Sequence, residues 1–226
     1  SCQLSSQIWA DSNATLSTRI PSSLWSKSQT VTHFATSLAS ICNSRLSPKF
    51  IFWGRIAPQK NLPYAILIFE LILAAFPSAT FTIIAPDSSC KSSLIKAYPS
   101  LLSSASFKVF PGLSLEQISN IARDASFFLN TSIDEGMCMS VVEAMQLGLV
   151  PVVTPVGEIA NYTQHKYNAL HVTDPYQTLK DLSHLFVSPS AFYEMRQKSI
   201  NTWRDHALYR DQFMNRLFVF LSSIQS

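Results

Sequence analysis

Nothing in this chain gathers cysteine or histidine into a metal site or a disulfide framework. Its four cysteines, Cys2, Cys42, Cys90 and Cys138, lie far apart and match neither a zinc spacing nor a dense bridge pattern. Free thiols in a reducing compartment are therefore expected. The five histidines, His33, His165, His171, His184 and His206, follow no ligand spacing, and no serine, histidine and aspartate set carries a hydrolase signature. Charge is also sparse. Only 14% of residues are charged, the net charge is +3, and lysine and arginine are scattered instead of striped, which excludes a nucleic-acid footprint. The longest hydrophobic run, Leu62 to Phe76, is broken by Glu70 and is shorter than the roughly 20 residues a membrane span needs, so it reads as a buried helix. No signal peptide is visible, although the chain starts at Ser1 without an initiator methionine. The sequons at Asn13, Asn130 and Asn161 read as chance matches, and the expected location is cytoplasmic.

What is present is a regular alternation of elements. Residues 1 to 28 are rich in serine and threonine without a sustained period and read as a linker or remnant, followed by an expected helix over 29–45, where Val31, Phe34, Leu38, Ile41 and Cys42 recur at helical spacing. From Lys49 onward, strands are expected near 49–53, 79–84, 107–110, 126–129, 150–154 and 169–172. Helices are expected near 62–76, 90–98, 114–123, 138–147 and 157–162, and two or three more from Pro175 to about Ile224. This pattern predicts an α/β fold with a doubly wound, parallel, six-stranded sheet over residues 49–226.

The candidate chemistry sits at the ends of these strands. Glu135 and Glu143 flank the passage from the strand at 126–129 into the next helix. Unpartnered amides and the positive end of the helix dipole suit an anion there, and Gly136 permits close approach, so a diphosphate is expected to dock at Gly136, Met137 and Cys138. If helix spanned the pair, eight positions at about 1.5 Å would set the carboxylates roughly 12 Å apart, a fair match to a nucleotide sugar. Glu135 then faces the hexose hydroxyls, and Glu143, on the exposed face of the helix, accepts from both ribose hydroxyls. Gly54, Arg55 and Lys60 follow the first sheet strand and bring two cations to the same crevice. Phe110-Pro111-Gly112-Leu113, after a further strand, is a candidate wall for the base. No Asp-x-Asp triplet occurs in the chain, so no metal is expected and Arg55, Lys60 and the helix start are left to stabilise a departing diphosphate.

These residues resemble the carboxyl-terminal, donor-binding domain of the retaining glycosyltransferases of family 4 (glycosyl transferases group 1), which have the GT-B fold of two facing Rossmann-like domains. The resemblance covers about residues 49–226 through Gly54-Arg55-x4-Lys60-Asn61, Glu135-x7-Glu143 and Val156-Gly157-Glu158-Ile159. It implies that the positions of Arg55 and Lys60 hold the diphosphate, that of Glu135 contacts the donor sugar and that of Glu143 binds ribose, with Glu135, Arg55 and Lys60 as the catalytic residues and no enzyme nucleophile. Many members carry a second glycine where this chain has Cys138, so a side chain must be accommodated beside the phosphate. The implied reaction moves a hexose from a UDP-, GDP- or ADP-sugar to an acceptor hydroxyl with retention, without cofactor or metal. The acceptor is unspecified: a saccharide, a lipid or a protein. About 48 residues precede the first sheet strand, whereas a Rossmann half needs about 100. An amino-terminal half is therefore an expected partner, and any membrane contact is expected through it. The alternatives are a non-catalytic nucleotide-sugar-binding module and a GT-B sugar-nucleotide epimerase.

Overall fold

The computed structural model describes residues 45–86, 104–207 and 209–224, with the short runs 8–10 and 28–30 and positions 38, 40, 92, 94 and 96–99. Six strands form one all-parallel sheet: β3 (Lys49–Trp53), β4 (Thr80–Ile84), β5 (Phe107–Phe110), β6 (Phe127–Asn130), β7 (Val150–Val153) and β8 (Leu170–His171), in the spatial order β5-β4-β3-β6-β7-β8. All six lie within a residue of their expected positions. The reason is plain in the pattern: every residue of β6 and β7 is buried, as is required of strands covered on both faces. Phenylalanines stack across the register, Phe50 on Phe127 at 5.0 Å between ring centroids and Phe52 on Phe128 at 6.1 Å. Such pairs add to simple burial.

The connecting helices are α1 (Leu62–Ala75), α2 (Leu115–Ala122), α3 (Met139–Leu147) and α4 (Ile159–Tyr162), followed by α5 (Pro175–Val187), α6 (Pro189–Arg204) and α7 (Tyr209–Ile224). Their ends carry local signals. Ser114 and Gln117 form a reciprocal capping box at the start of α2, and Asp174 accepts from the Gln177 amide at 2.8 Å with Pro175 in the first turn of α5. Gly148, at φ 88°, ends α3 in the left-handed conformation that glycine tolerates best. The apolar run expected as a buried helix is α1, which sends Leu62, Ala65, Ile66, Ile68, Phe69 and Ile72 into the core. No helix among the described residues is long and apolar enough to cross a membrane.

Strand order places the site. From β3 the chain steps outward through β4 to β5, then returns to the other side of β3 and steps through β6, β7 and β8. The direction reverses between β3 and β6. In a Rossmann-like sheet of this kind, the loops leaving the carboxyl ends of the two strands at the reversal splay apart and open a crevice.

Two further strands, β1 (Ile8–Ala10) and β2 (Ser28–Thr30), pair in parallel. The helix expected over 29–45 is thus replaced by strand at Gln29 and Thr30, within the run Gln29-Thr-Val-Thr32, whose β-branched residues favour extended backbone. Leu38, Ser40 and Arg45 are not helical, and the rest of that expectation lies outside the described residues, as do most of the 1–28 segment, Cys2, Cys42, Cys90 and His33. Of the helix expected at 90–98, residues 92, 94, 96 and 97 are helical and positions 90, 91, 93 and 95 lie outside the described set.

Candidate functional site

Two backbone-directed bonds bring the loops at the reversal together. After β3, Gly54 (φ 146°) donates its amide to the Ile84 carbonyl, and the chain descends through a 3-10 turn, Pro58–Lys60. After β6, the Ile133 amide donates to the Gln59 carbonyl at 2.8 Å and the Thr131 hydroxyl to the Asn61 carbonyl at 2.9 Å. Residues 60 and 135 are thereby held side by side. The Lys60 ammonium forms an ion pair with Glu135 Oε1, and both side chains are about nine-tenths buried, at 11% and 9% exposed. Ser132 donates to the same carboxylate oxygen at 2.6 Å.

Glu135 is braced from its other side by the segment after β7. Gly157 sits so close beneath it that a Cβ there would stand 1.7 Å from the Glu135 carbonyl oxygen, and its φ of 55° is itself a glycine conformation. The Glu158 amide donates to the Gly136 carbonyl at 3.3 Å, the Tyr162 hydroxyl to the Met137 carbonyl at 2.9 Å, and the Thr154 hydroxyl to the Ser132 carbonyl. Burial, with the nearby Cys138, Glu135 and Glu158, raises the Tyr162 pKa well above its usual value and keeps it a donor.

The helix starts within a residue of its expected position, and only the conditional span of the glutamate pair fails. α3 begins at Met139, after Cys138, so Glu135 lies in the loop and the helical spacing of roughly 12 Å does not apply to the pair. No side chain caps α3, and the amides of Gly136, Met137 and Cys138 donate to no group among the described residues. Gly136 faces open space, with nothing within 4 Å of a Cβ placed on it, whereas Met137 is buried in the core. Cys138 stands at φ 50°, a left-handed conformation that favours glycine. Its thiol accepts from Asn130 Nδ2 at 3.2 Å and from Lys60 Nζ at 3.6 Å. Burial pushes that thiol up to about 11 despite the neighbouring Lys60, so it is a protonated, unreactive group.

Glu143 requires a second correction. The sequence pattern puts it on the exposed face of α3, but it is partly buried and accepts from Trp53 Nε1 at 2.8 Å. Burial raises its pKa, and the indole hydrogen bond works against that rise. The cause is the sheet: the last residue of β3 reaches across the reversal onto the second turn of α3.

The remaining candidates spread along the carboxyl edge. Arg55 is exposed beyond Gly54 and forms no ion pair among the described residues. Pro111 and Gly112 are exposed after β5, two strands from β3, and make no bond to the Lys60–Glu135 cluster. Gly112 is needed there, because a Cβ would lie 2.8 Å from Pro86 Cα. Sequence reasoning missed Trp53, Ser132 and Tyr162, and saw Asn130 only as a sequon. Asn130 is fully buried, and besides its bond to the thiol its Oδ1 accepts from the Ser132 amide at 3.2 Å and lies 2.7 Å from the Ser132 hydroxyl, whose one proton it shares with Glu135. A cavity of about 340 Å³ bordered by Lys166, Asp181 and Lys198 contains none of these residues.

A family model described as "Glycosyl transferases group 1" matches residues 44–204. No curated protein matches the chain. Among solved structures, the fold resembles a mutant of Staphylococcus aureus TarM in complex with fondaparinux, alpha-GlcNAc-glycerol and UDP (TM-score 0.74, 12% identity, covering 95% of this chain and 44% of that one). It is also similar to HepE of Anabaena in complex with UDP and glucose (TM-score 0.74, 12% identity, 97% of this chain and 64% of that one). A third is the C-terminal domain of a glycosyl transferase group 1 family protein, LpcC, from Francisella tularensis (TM-score 0.59, 18% identity, 69% of this chain and 83% of that one). The chain thus spans less than two thirds of TarM and HepE, and its sheet matches the carboxyl-terminal domains of GT-B structures.

Proposed function

Because this chain belongs to the glycosyl transferases group 1, we propose that it is the donor-binding half of a retaining hexosyltransferase of family 4, which moves a hexose from a nucleotide-diphosphate sugar to an acceptor hydroxyl. The observation that carries this reading is the convergence of Lys60, Glu135 and the unpartnered amides of 136–138 at the reversal between β3 and β6, with Glu143 on the adjoining helix. The amides and Lys60, with Arg55 beside them, supply donors for a diphosphate. Glu135, fixed by Lys60 and Ser132, presents its remaining lone pairs to sugar hydroxyls, and Glu143 to the ribose.

In the transfer itself the bond between the anomeric carbon and the diphosphate oxygen breaks, and negative charge grows on that oxygen. Lys60, Arg55 and the loop amides stabilise it without reorganising. The acceptor hydroxyl bonds to the same face of the anomeric carbon and gives its proton to a departing phosphate oxygen. An acceptor pocket and a second domain belong to this proposal, as does independence from metal.

Calorimetry in EDTA tests the reading. UDP, GDP or ADP is expected to bind residues 1–226 without divalent metal, and Lys60→Ala or Arg55→Ala to weaken it by about 1.5–3 kcal/mol, the worth of one charged hydrogen bond. An absolute requirement for magnesium or manganese would overturn metal independence, and no binding of any of the three would overturn the donor site.

A further inference from the structure

The Trp53 indole supplies a hydrogen bond to Glu143 and none to Lys60, Glu135 or the 136–138 loop. It closes β3 with its residue only 4% exposed, and its ring is fixed edge-to-face on Phe128, the centroids 4.5 Å apart at 65°. Packing at this position requires only an apolar ring or branched chain, as Ile84 shows at the paired position on β4. A buried indole adds an N–H that must find an acceptor. That acceptor is Glu143 Oε2, at 2.8 Å. The bond crosses from the last residue of a sheet strand to a helix ninety positions later, so it ties a helix-borne carboxylate to the buried central sheet.

A glutamate carboxylate otherwise turns broadly about its terminal bond. Receiving two adjacent hydroxyls at once requires one orientation of its plane, and a donor locked by packing supplies it. With one lone pair of Oε2 occupied, the other oxygen is left for a ligand. Resting on the donor-site reading above, we infer that Trp53 is the positioning residue of the ribose subsite: it holds Glu143 in the orientation that receives the 2′ and 3′ hydroxyls, and so makes the site selective for ribonucleoside over 2′-deoxyribonucleoside diphosphates. Burial alone favours the protonated acid at Glu143, and the indole hydrogen bond opposes that change, which agrees with this role.

The test is calorimetry of the full chain with UDP, GDP and ADP and their 2′-deoxy forms. The wild-type protein is expected to prefer the ribose form by about tenfold or more. Trp53→Phe keeps the ring contact with Phe128 and removes the donor. It is expected to collapse that preference to about twofold and to weaken the 2′-deoxy form less than the ribose form, since the 2′-deoxy form meets Glu143 through its 3′ hydroxyl alone and keeps the diphosphate contacts. An unchanged preference in Trp53→Phe, with the preference lost in Glu143→Gln, would overturn the positioning role and leave the donor site standing. Equal binding of both forms by the wild type would overturn the ribose subsite, and no binding of either would sink the donor reading itself. A second readout needs no substitution of Trp53. One of the four tryptophan indole N–H resonances is expected to move as acid protonates Glu143, and to stop moving in Glu143→Gln. Four indole signals indifferent to that substitution would also overturn the proposal.

Discussion

Lys60 and Glu135 satisfy each other before any ligand arrives. In the donor-binding reading their ion pair also neutralises two groups meant for different parts of one molecule, the diphosphate and the hexose. A ligand that carries only the diphosphate must compete with Glu135 for the ammonium, whereas a full sugar nucleotide rewards both. Glu135→Ala is therefore expected to leave UDP affinity undiminished and to lose only the added affinity of the UDP-sugar, or its turnover. Glu143→Ala is expected to weaken UDP and UDP-sugar alike. Equal losses for both ligands in both variants, measured by calorimetry, would show the roles wrongly assigned. Glu143 adds a pH dependence with a definite sign. Its folded pKa is raised above 4.5, and only the carboxylate accepts from two hydroxyls, so UDP affinity should rise with pH through that raised value and flatten in Glu143→Gln. Folding runs the other way. Between the unfolded and folded pKa the native state holds more protons, so this one group costs stability as pH rises through the window.

At the scale of elements, the site is a loop held between two others. Residues 132–137 are bonded to the turn after β3 on one side and pressed by the 154–158 segment on the other. Gly157→Ala must move one backbone away from the other, because the added Cβ would meet the Glu135 carbonyl at 1.7 Å. Left-handed backbone costs a further 1–2 kcal/mol or so in alanine. A lower melting temperature is expected, together with loss of the sugar-dependent part of binding while UDP still binds. Gly136→Ala is the matched comparison: its Cβ enters open space and its φ is not positive, so its melting temperature should hardly move. Equal melting temperatures for the two variants would show that the close approach at Gly157 constrains nothing.

For the whole molecule, the decisive fact is extent. The chain spans 44% of TarM and 64% of HepE, and the proposal assigns the acceptor side of the reaction to a separate amino-terminal half. A crevice open to water neither positions an acceptor nor excludes hydrolysis, and proximity supplies a large share of the rate in such transfers. Residues 1–226 alone are expected to bind sugar nucleotide without multiple turnover, and transfer is expected when an amino-terminal GT-B half is supplied. The assay is product formation from several sugar nucleotides with mixed acceptors. Robust turnover by the isolated chain would overturn the half-enzyme reading.

The sequence by itself determined the sheet and the candidate residues, since burial on both faces writes a strand such as Val150–Val153 as an unbroken apolar run and the apolar length of α1 marks it as a buried helix. Gly54, Lys60 and Glu135 were singled out because their residue types stand at element boundaries, and Glu143 through its Glu-x7-Glu spacing from Glu135. Three things were not legible. That Cys138 is left-handed depends on a φ angle that no residue type dictates except glycine. That Lys60 meets Glu135 depends on bonds between loops seventy or more positions apart, and that Glu143 is half-buried depends on a tryptophan from another strand. Local propensity is set by neighbours in the chain, but burial and pairing at the crevice are set by which strands lie beside each other, and only the tertiary structure decides that.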